Sequence, residues 1–144
     1  MSYWRLFYHV TWSTKYRLPL IVASFENNLH NEIVAKAKAL GGIPYAVGGT
    51  EDHVHLAVSV PPGDALSKFI GQVKGASAHF VNHEFHPAEH FDWQHEFGVV
   101  SFGGKHLDMV VQYIKNQRKH HAENNLILEL EREIDQPEKN RLTH

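Results

Sequence analysis

Alternation in the run Glu51-Asp-His-Val-His-Leu-Ala-Val-Ser-Val60 constrains this chain more than any other stretch. Positions 53, 55, 57 and 59 read His, His, Ala and Ser, while 54, 56, 58 and 60 read Val, Leu, Val and Val. A period of two is a strand, and strand side chains alternate between faces. The valines and the leucine therefore enter a core. His53 and His55 share the opposite face with small neighbours, and such a surface can hold a cation.

The rest of the chain supplies partners for this strand. Residues 3 to 14 set Trp4, Leu6, Tyr8, Val10 and Trp12 against Arg5, His9, Thr11 and Ser13, a first strand broken only by Phe7. Phe25, Leu29, Ile33, Val34, Ala37 and Leu40 follow at helical spacing until Gly41-Gly42 stops them. Ile43 to Gly49 is a second strand, joined to the histidine strand by a connection short enough for a hairpin. Leu66, Phe69, Ile70, Val73, Ser77, Phe80 and Val81 mark a second amphipathic helix over 65 to about 84, with Asp64 as its cap. A His-rich, aromatic loop over 83–94, a strand over 96–102 and a third helix from about His106 to Glu123 complete the series. The order β-α-β-β-α-β predicts an α+β, ferredoxin-like antiparallel sheet with its helices on one face, extended by a C-terminal helix.

A chain of 144 residues with no linker or composition break is expected to form one domain across 1–144, with a charged tail from about 125. Cysteine is absent, which excludes both a disulfide framework and a thiolate zinc site. No basic segment leads into an apolar leader, and no run reaches the ~18 apolar residues of a membrane span. A cytoplasmic protein is expected. Lys and Arg total 14 against 16 acidic residues, a formal charge of −2, so nucleic acid is not bound by bulk electrostatics and any contact must be local. The 13 histidines would turn the charge positive near or below pH 6.5.

A His-X-His pair among that many histidines is also compatible with two solvated side chains. On the third helix, Tyr113 and Gln117 stand four residues apart and project together, with Met109 and His120 on the same stripe. For Tyr113 alone, ordinary core packing serves equally well.

Taken in order, these segments resemble the HUH (His, hydrophobic residue, His) single-tyrosine transposases, small insertion-sequence enzymes whose relatives accompany repetitive extragenic palindromes. Tyr8-His-Val-Thr-Trp-Ser-Thr-Lys-Tyr-Arg17 is similar to that family's opening strand and Asp52-His-Val-His-Leu56 to its metal strand. Ser67 to Ser77 resembles its Lys-Gly helix, and Tyr113-Ile-Lys-Asn-Gln117 its tyrosine helix. The resemblance runs over roughly residues 3 to 121. It implies a ferredoxin-like homodimer that cuts and rejoins single-stranded or hairpin DNA. His53, His55 and Gln117 would be metal ligands and Tyr113 the nucleophile, acting within its own subunit or in the partner's site.

Those roles make chemical sense. A phenol of pKa about 10 is a poor nucleophile at neutral pH, so the scissile phosphate has to be polarised. Two imidazoles and an amide oxygen leave positions open on Mg²⁺ or Mn²⁺ for that purpose, although imidazole binds Mn²⁺ and Zn²⁺ more readily than Mg²⁺. Candidate DNA contacts are Lys15, Arg17, Lys68, Lys74, Lys105 and the group Lys115, Arg118 and Lys119 beside the tyrosine. His120 and His121 are either substitute ligands, proton carriers or solvated residues of a helix end. Glu51 and Asp52 are turn residues in position to orient a ligand histidine. The acidic tail, Glu129 to Glu138, would repel phosphate and is expected away from the site, covering a dimer surface. The alternatives are a relative that binds hairpin DNA without cutting it, and a sensing or structural dimer with an incidental metal.

Overall fold

The computed structural model describes residues 2–123 and 127–133. Strands β1 (Phe7–Ser13), β2 (Ile43–Gly49), β3 (His53–Ser59) and β4 (Gly98–Phe102) lie in the order β2-β3-β1-β4 with all neighbours antiparallel. Helix α1 (Glu26–Ala39) links β1 to β2, and α2 (Leu66–Phe85) links β3 to β4. This is the ferredoxin-like α+β arrangement expected from the element order. Three further helices follow, α3 (Leu107–Lys115), α4 (Gln117–Glu123) and α5 (Leu128–Glu131).

Alternation in β1 and β3 divides the molecule into two layers. Val10 and Trp12 of β1 and Val54, Leu56 and Val58 of β3 pack against Leu29, Ile33 and Ala37 of α1 and Phe69, Ile70 and Val73 of α2. Each of the larger side chains contributes roughly 1.5–3 kcal/mol by leaving water. The aromatic loop after α2 belongs to this core. Trp93 is buried edge-on to Phe91 and Trp12, at ring-centre distances of 4.8 and 5.8 Å, and its Nε1–H donates to Ser77 Oγ at 3.0 Å.

On the opposite face the register aligns Ser13 with His53, Thr11 with His55 and His9 with Ala57. Instead of lying open, this polar face is covered by the C-terminal helices, and His53 and His55 are 1% and 0% exposed. Helix α3 seats Val110 and Ile114 on Ala46 and Ala57. It comes so close to β2 that a Cβ on Gly48 would collide with the Ile114 carbonyl oxygen. Phe7, the break in the β1 pattern, lies in this layer too, with ring centres 5.6 Å from Tyr45 and 5.7 Å from Phe102.

Four local expectations are corrected. The predicted third helix is two helices, because Asn116 leaves helical geometry at φ −103°, ψ 25°; Asn competes for backbone hydrogen bonds and favours such caps. Helix α2 begins after Ala65, without a side-chain cap from Asp64, whose N–H instead closes a turn onto Pro61. The fourth strand starts at Gly98 rather than at residue 96. Part of the expected tail packs onto the sheet: Leu130 is buried and its carbonyl accepts from Thr11 Oγ1 at 2.8 Å. Residues 124–126 and 134–144 of that tail lie outside the described residues.

Candidate active site

Burial of a polar sheet face demands that its donors and acceptors be paired, and the pairing here orients both histidines of β3. At His53, Nδ1 lies 2.8 Å from Asp52 Oδ1 and 3.0 Å from Thr50 Oγ1. The Thr50 hydroxyl donates onward to Asp52 at 3.3 Å, so both neighbours accept the Nδ1–H of His53. At His55, Nδ1 lies 3.0 Å from Thr11 Oγ1 and 2.8 Å from His9 Nε2. The Thr11 hydroxyl donates to the Leu130 carbonyl, which makes its oxygen an acceptor for His55 as well. Each ring thereby turns its Nε2 to the same point below the sheet, with the tautomers assigned from these partners.

Four other groups meet them there. Gln117 Oε1 is 3.2 Å from His53 Nε2, and His121 Nε2 is 3.1 Å from both that imidazole nitrogen and the Gln117 oxygen. Glu131 Oε1 lies 3.1 Å from His55 Nε2 and 3.4 Å from His53 Nε2. The other Glu131 oxygen, Oε2, accepts the hydroxyl proton of Tyr113, and the Ile127 N–H donates to the same phenol oxygen at 3.0 Å. His53, His55, His121 and Glu131 each offer a ligand atom within 4.8 Å of the others. Three imidazole nitrogens, an amide oxygen and a carboxylate face one point, a set of donors that could hold a divalent metal ion.

The electrostatics follow from burial and these contacts. Burial lowers the pKa of His53, but bonds to Asp52, Glu131 and Gln117 more than reverse this and raise it to about 9. Burial lowers His55, and burial together with His55 lowers His9 to about 3. Burial would raise Glu131, yet its bonds to His53 and His55 hold it well below the usual carboxylate range. Burial and the bond to Glu131 push the Tyr113 phenol up to about 12.

Of the predicted site residues, the structure gathers His53, His55, Gln117 and Tyr113 in one chain. Asp52 does hold His53, whereas Glu51 turns away toward Arg118, 3.8 Å distant. His121 is at the cluster rather than at a solvated helix end. The acidic tail does not keep away: Glu131 is the carboxylate of the site. Sequence reasoning also missed His9 and Thr11. Their alternation was legible, but the strand register that brings them to His55 was not.

The predicted DNA contacts divide by burial. Lys68, Lys105, Lys115 and Lys119 are exposed. Arg118 is exposed and reaches Glu26 at 2.6 Å. Lys15 is half-exposed and 3.7 Å from Asp92, and Arg17 bonds Ser13 and Glu133, both at 2.9 Å. Lys74 differs. It is 8% exposed, and its ammonium donates to the carbonyls of Gln94, His95 and Glu96 at 2.5, 3.1 and 3.1 Å. All three protons are used, leaving none for a phosphate.

Residues 2–117 match the family described as "Transposase IS200 like". The chain is 34% identical over 76 residues to the ISDra2 transposase TnpA of Deinococcus radiodurans, a match covering 52% of this chain and 54% of that protein. It thus spans about half the length of that relative. A crystal structure of a Deinococcus radiodurans protein described as a transposase is similar with a TM-score of 0.66 and 27% identity, over 81% of this chain and 95% of that one. The structure of a REP-associated tyrosine transposase bound to a REP hairpin shares the fold at a TM-score of 0.61 and 17% identity, over 90% of this chain and 78% of that one. Among the described residues no helix is long and apolar enough to cross a membrane. By the extent of the family match, this chain belongs to the IS200-like transposases.

Proposed function

We propose that this protein cuts and rejoins single-stranded DNA through a covalent 5′-phosphotyrosine at Tyr113. The observation that carries the reading is a single carboxylate: Glu131 touches the Tyr113 hydroxyl with one oxygen and His55 Nε2 with the other. The candidate nucleophile therefore stands one carboxylate's width from the candidate ligands, all within the same chain. His53, His55 and Gln117 would hold Mg²⁺ or Mn²⁺, and such an ion supplies a Lewis acid for the scissile phosphate and the leaving oxygen.

The chain's own residues do the rest. Asp52, Thr50, Thr11 and His9 fix the rings of His53 and His55. The Tyr113 oxygen attacks phosphorus as the bond to the 3′-oxygen breaks; its proton passes to the solvent or a neighbouring base, and the departing 3′-oxygen takes up a proton from solvent and leaves as a free 3′-hydroxyl. Attack by another 3′-hydroxyl on the phosphotyrosine reverses the exchange on a different strand and releases Tyr113. Bond energy is conserved, so no ATP is needed. Exposed Lys115, Arg118 and Lys119 beside the site would meet phosphates, with Lys15, Arg17, Lys68 and Lys105 further along. Since a structural neighbour is bound to a REP hairpin, hairpin DNA is the substrate to offer first. We read residues 1–144 as one domain that pairs as a homodimer, the dimer serving to hold two DNA strands, since one chain already brings Tyr113 close to His53, His55 and Gln117.

The test uses Mn²⁺ or Mg²⁺ and labelled single strands from both flanks of the gene, resolved on a denaturing gel. A slow-migrating covalent band in the wild type that disappears in Tyr113→Phe is expected. Hairpin binding without any such band would sink the transferase reading and leave a DNA-binding relative.

A further inference from the structure

Two of the donors at this site come from beyond the stretch that matches the family. That match ends at residue 117, whereas His121 lies on α4 and Glu131 on α5. We propose that His121 and Glu131 are metal ligands of this chain, which join His53, His55 and Gln117 in a nitrogen-rich site favouring Zn²⁺, Co²⁺ or Mn²⁺ over Mg²⁺. The inference deepens the metal part of the proposed function and rests on it.

Geometry supplies the first argument. Glu131 Oε1 faces three imidazoles at once, 3.1 Å from His55 Nε2, 3.4 Å from His53 Nε2 and 3.5 Å from His121 Nε2. His121 Nε2 meanwhile stands 3.1 Å from both His53 Nε2 and Gln117 Oε1. Lone pairs converge in this way only around protons or a cation. His121 reaches the cluster because it follows Gln117 by one turn on the same helix, so the two project together.

A second argument concerns how Glu131 gets there. The residues on either side of it are anchored to β1 and to Arg17. Leu130 is buried and its carbonyl accepts from Thr11; Glu133 is bound by Ser13 Oγ at 2.5 Å and Arg17 Nη1 at 2.9 Å. Gly98 lacks the Cβ that would strike the Arg132 carbonyl. The carboxylate is thus delivered to the imidazoles by the fold.

Donor chemistry then sets the preference. Mg²⁺ takes oxygen ligands and retains water, whereas imidazole suits the later first-row ions and Zn²⁺.

Calorimetric titration of the full, DNA-free chain with ZnCl₂, CoCl₂, MnCl₂ and MgCl₂ tests this, with the visible spectrum of bound Co²⁺ as a second readout. Wild type is expected to bind Zn²⁺ and Co²⁺ more tightly than Mn²⁺, and Mn²⁺ more tightly than Mg²⁺. Glu131→Ala and His121→Ala should each lose about tenfold or more in Zn²⁺ and Mn²⁺ affinity and alter the Co²⁺ spectrum. Glu131→Gln, which keeps shape and a bond to Tyr113, guards against a folding defect and should also weaken binding. A variant that binds within threefold of wild type with an unchanged Co²⁺ spectrum overturns the assignment of that residue. Wild type that binds no ion overturns both and removes the metal from the proposed function. Covalent DNA adducts that persist while the variants bind metal normally would leave the transferase standing and this inference refuted.

Discussion

Lys74 shows how little a residue's type says about its task. Its charge sits in a family-like Lys-Gly pair on α2, which reads as a phosphate contact, yet the ammonium closes three carbonyls of the 94–96 loop. Lys74→Met should strand those acceptors and cost about 1–3 kcal/mol, read from urea unfolding. The salt slope of DNA binding should stay as in wild type, whereas a phosphate-binding lysine would reduce it by about one. Asp52 is the opposite case, a turn residue with a second task. Asp52→Ala removes the charged one of the two acceptors that fix the His53 tautomer and should weaken Mn²⁺ binding by about 10–100-fold, with the fold retained by circular dichroism. Tyr113→Phe tests the reverse separation: metal affinity near wild type, and no covalent DNA band. Period two and a four-residue helical step put His53 with His55 and Tyr113 with Gln117 on common faces, and the resemblance to the single-tyrosine transposases gave those faces their expected roles. Glu131 was not legible, since nothing periodic marks Leu128-Glu-Leu-Glu131 and a carboxylate in an acidic tail looks like any solvated charge.

At the scale of elements, the strands, the β2–β3 hairpin and the ferredoxin-like order were legible, and the residue-by-residue register was not. Strands β1 and β3 announced themselves by alternation and β2 and β4 as shorter strand-like runs, but the register that sets Thr11 opposite His55 depends on contacts far apart in sequence. The helix after Gly104 was legible in its apolar spacing, while the break at Asn116 was hidden because Tyr113 and Gln117 keep a common face on either side of it. What positions α3 is a glycine of another element. Gly48 of β2 lets the Ile114 carbonyl approach the strand, so the depth at which Tyr113 and Gln117 sit is set by a residue with no side chain. Gly48→Val should force α3 outward, lower stability by about 1–3 kcal/mol and weaken metal binding together with it. Gly75→Ala on α2, where a Cβ meets nothing within 4 Å, should leave metal binding unchanged. Equal loss in both variants would show that helix position does not govern the site.

For the whole molecule, the question is how a polar face and an apolar core on opposite sides of one thin sheet stay in register. One junction lies at the β2 edge. There Glu26 and His30 of α1, from the core layer, meet Gly48 and Gly49 of β2 and Arg118 and Lys119 of α4, from the site layer, around a cleft of about 350 Å³. Arg118 bonds Glu26 at 2.6 Å, and the His30 Nε2 is buried without a partner among the described residues. Burial lowers the His30 pKa below 6.5; Glu26 opposes the shift and Arg118 reinforces it. The sign follows from linkage. Below pH 6.5 the unfolded chain takes up a proton that the folded imidazole refuses, so His30 contributes a loss of stability as pH falls from 6.5 toward its folded value. His30→Gln removes that titration and should flatten the acid limb relative to wild type. Urea midpoints at pH 7.5 and 5.0 for both proteins check it: the wild-type drop should exceed that of the variant. Equal drops would mean that Glu26 neutralises the imidazole in place and that the two layers are joined at this edge without dependence on pH.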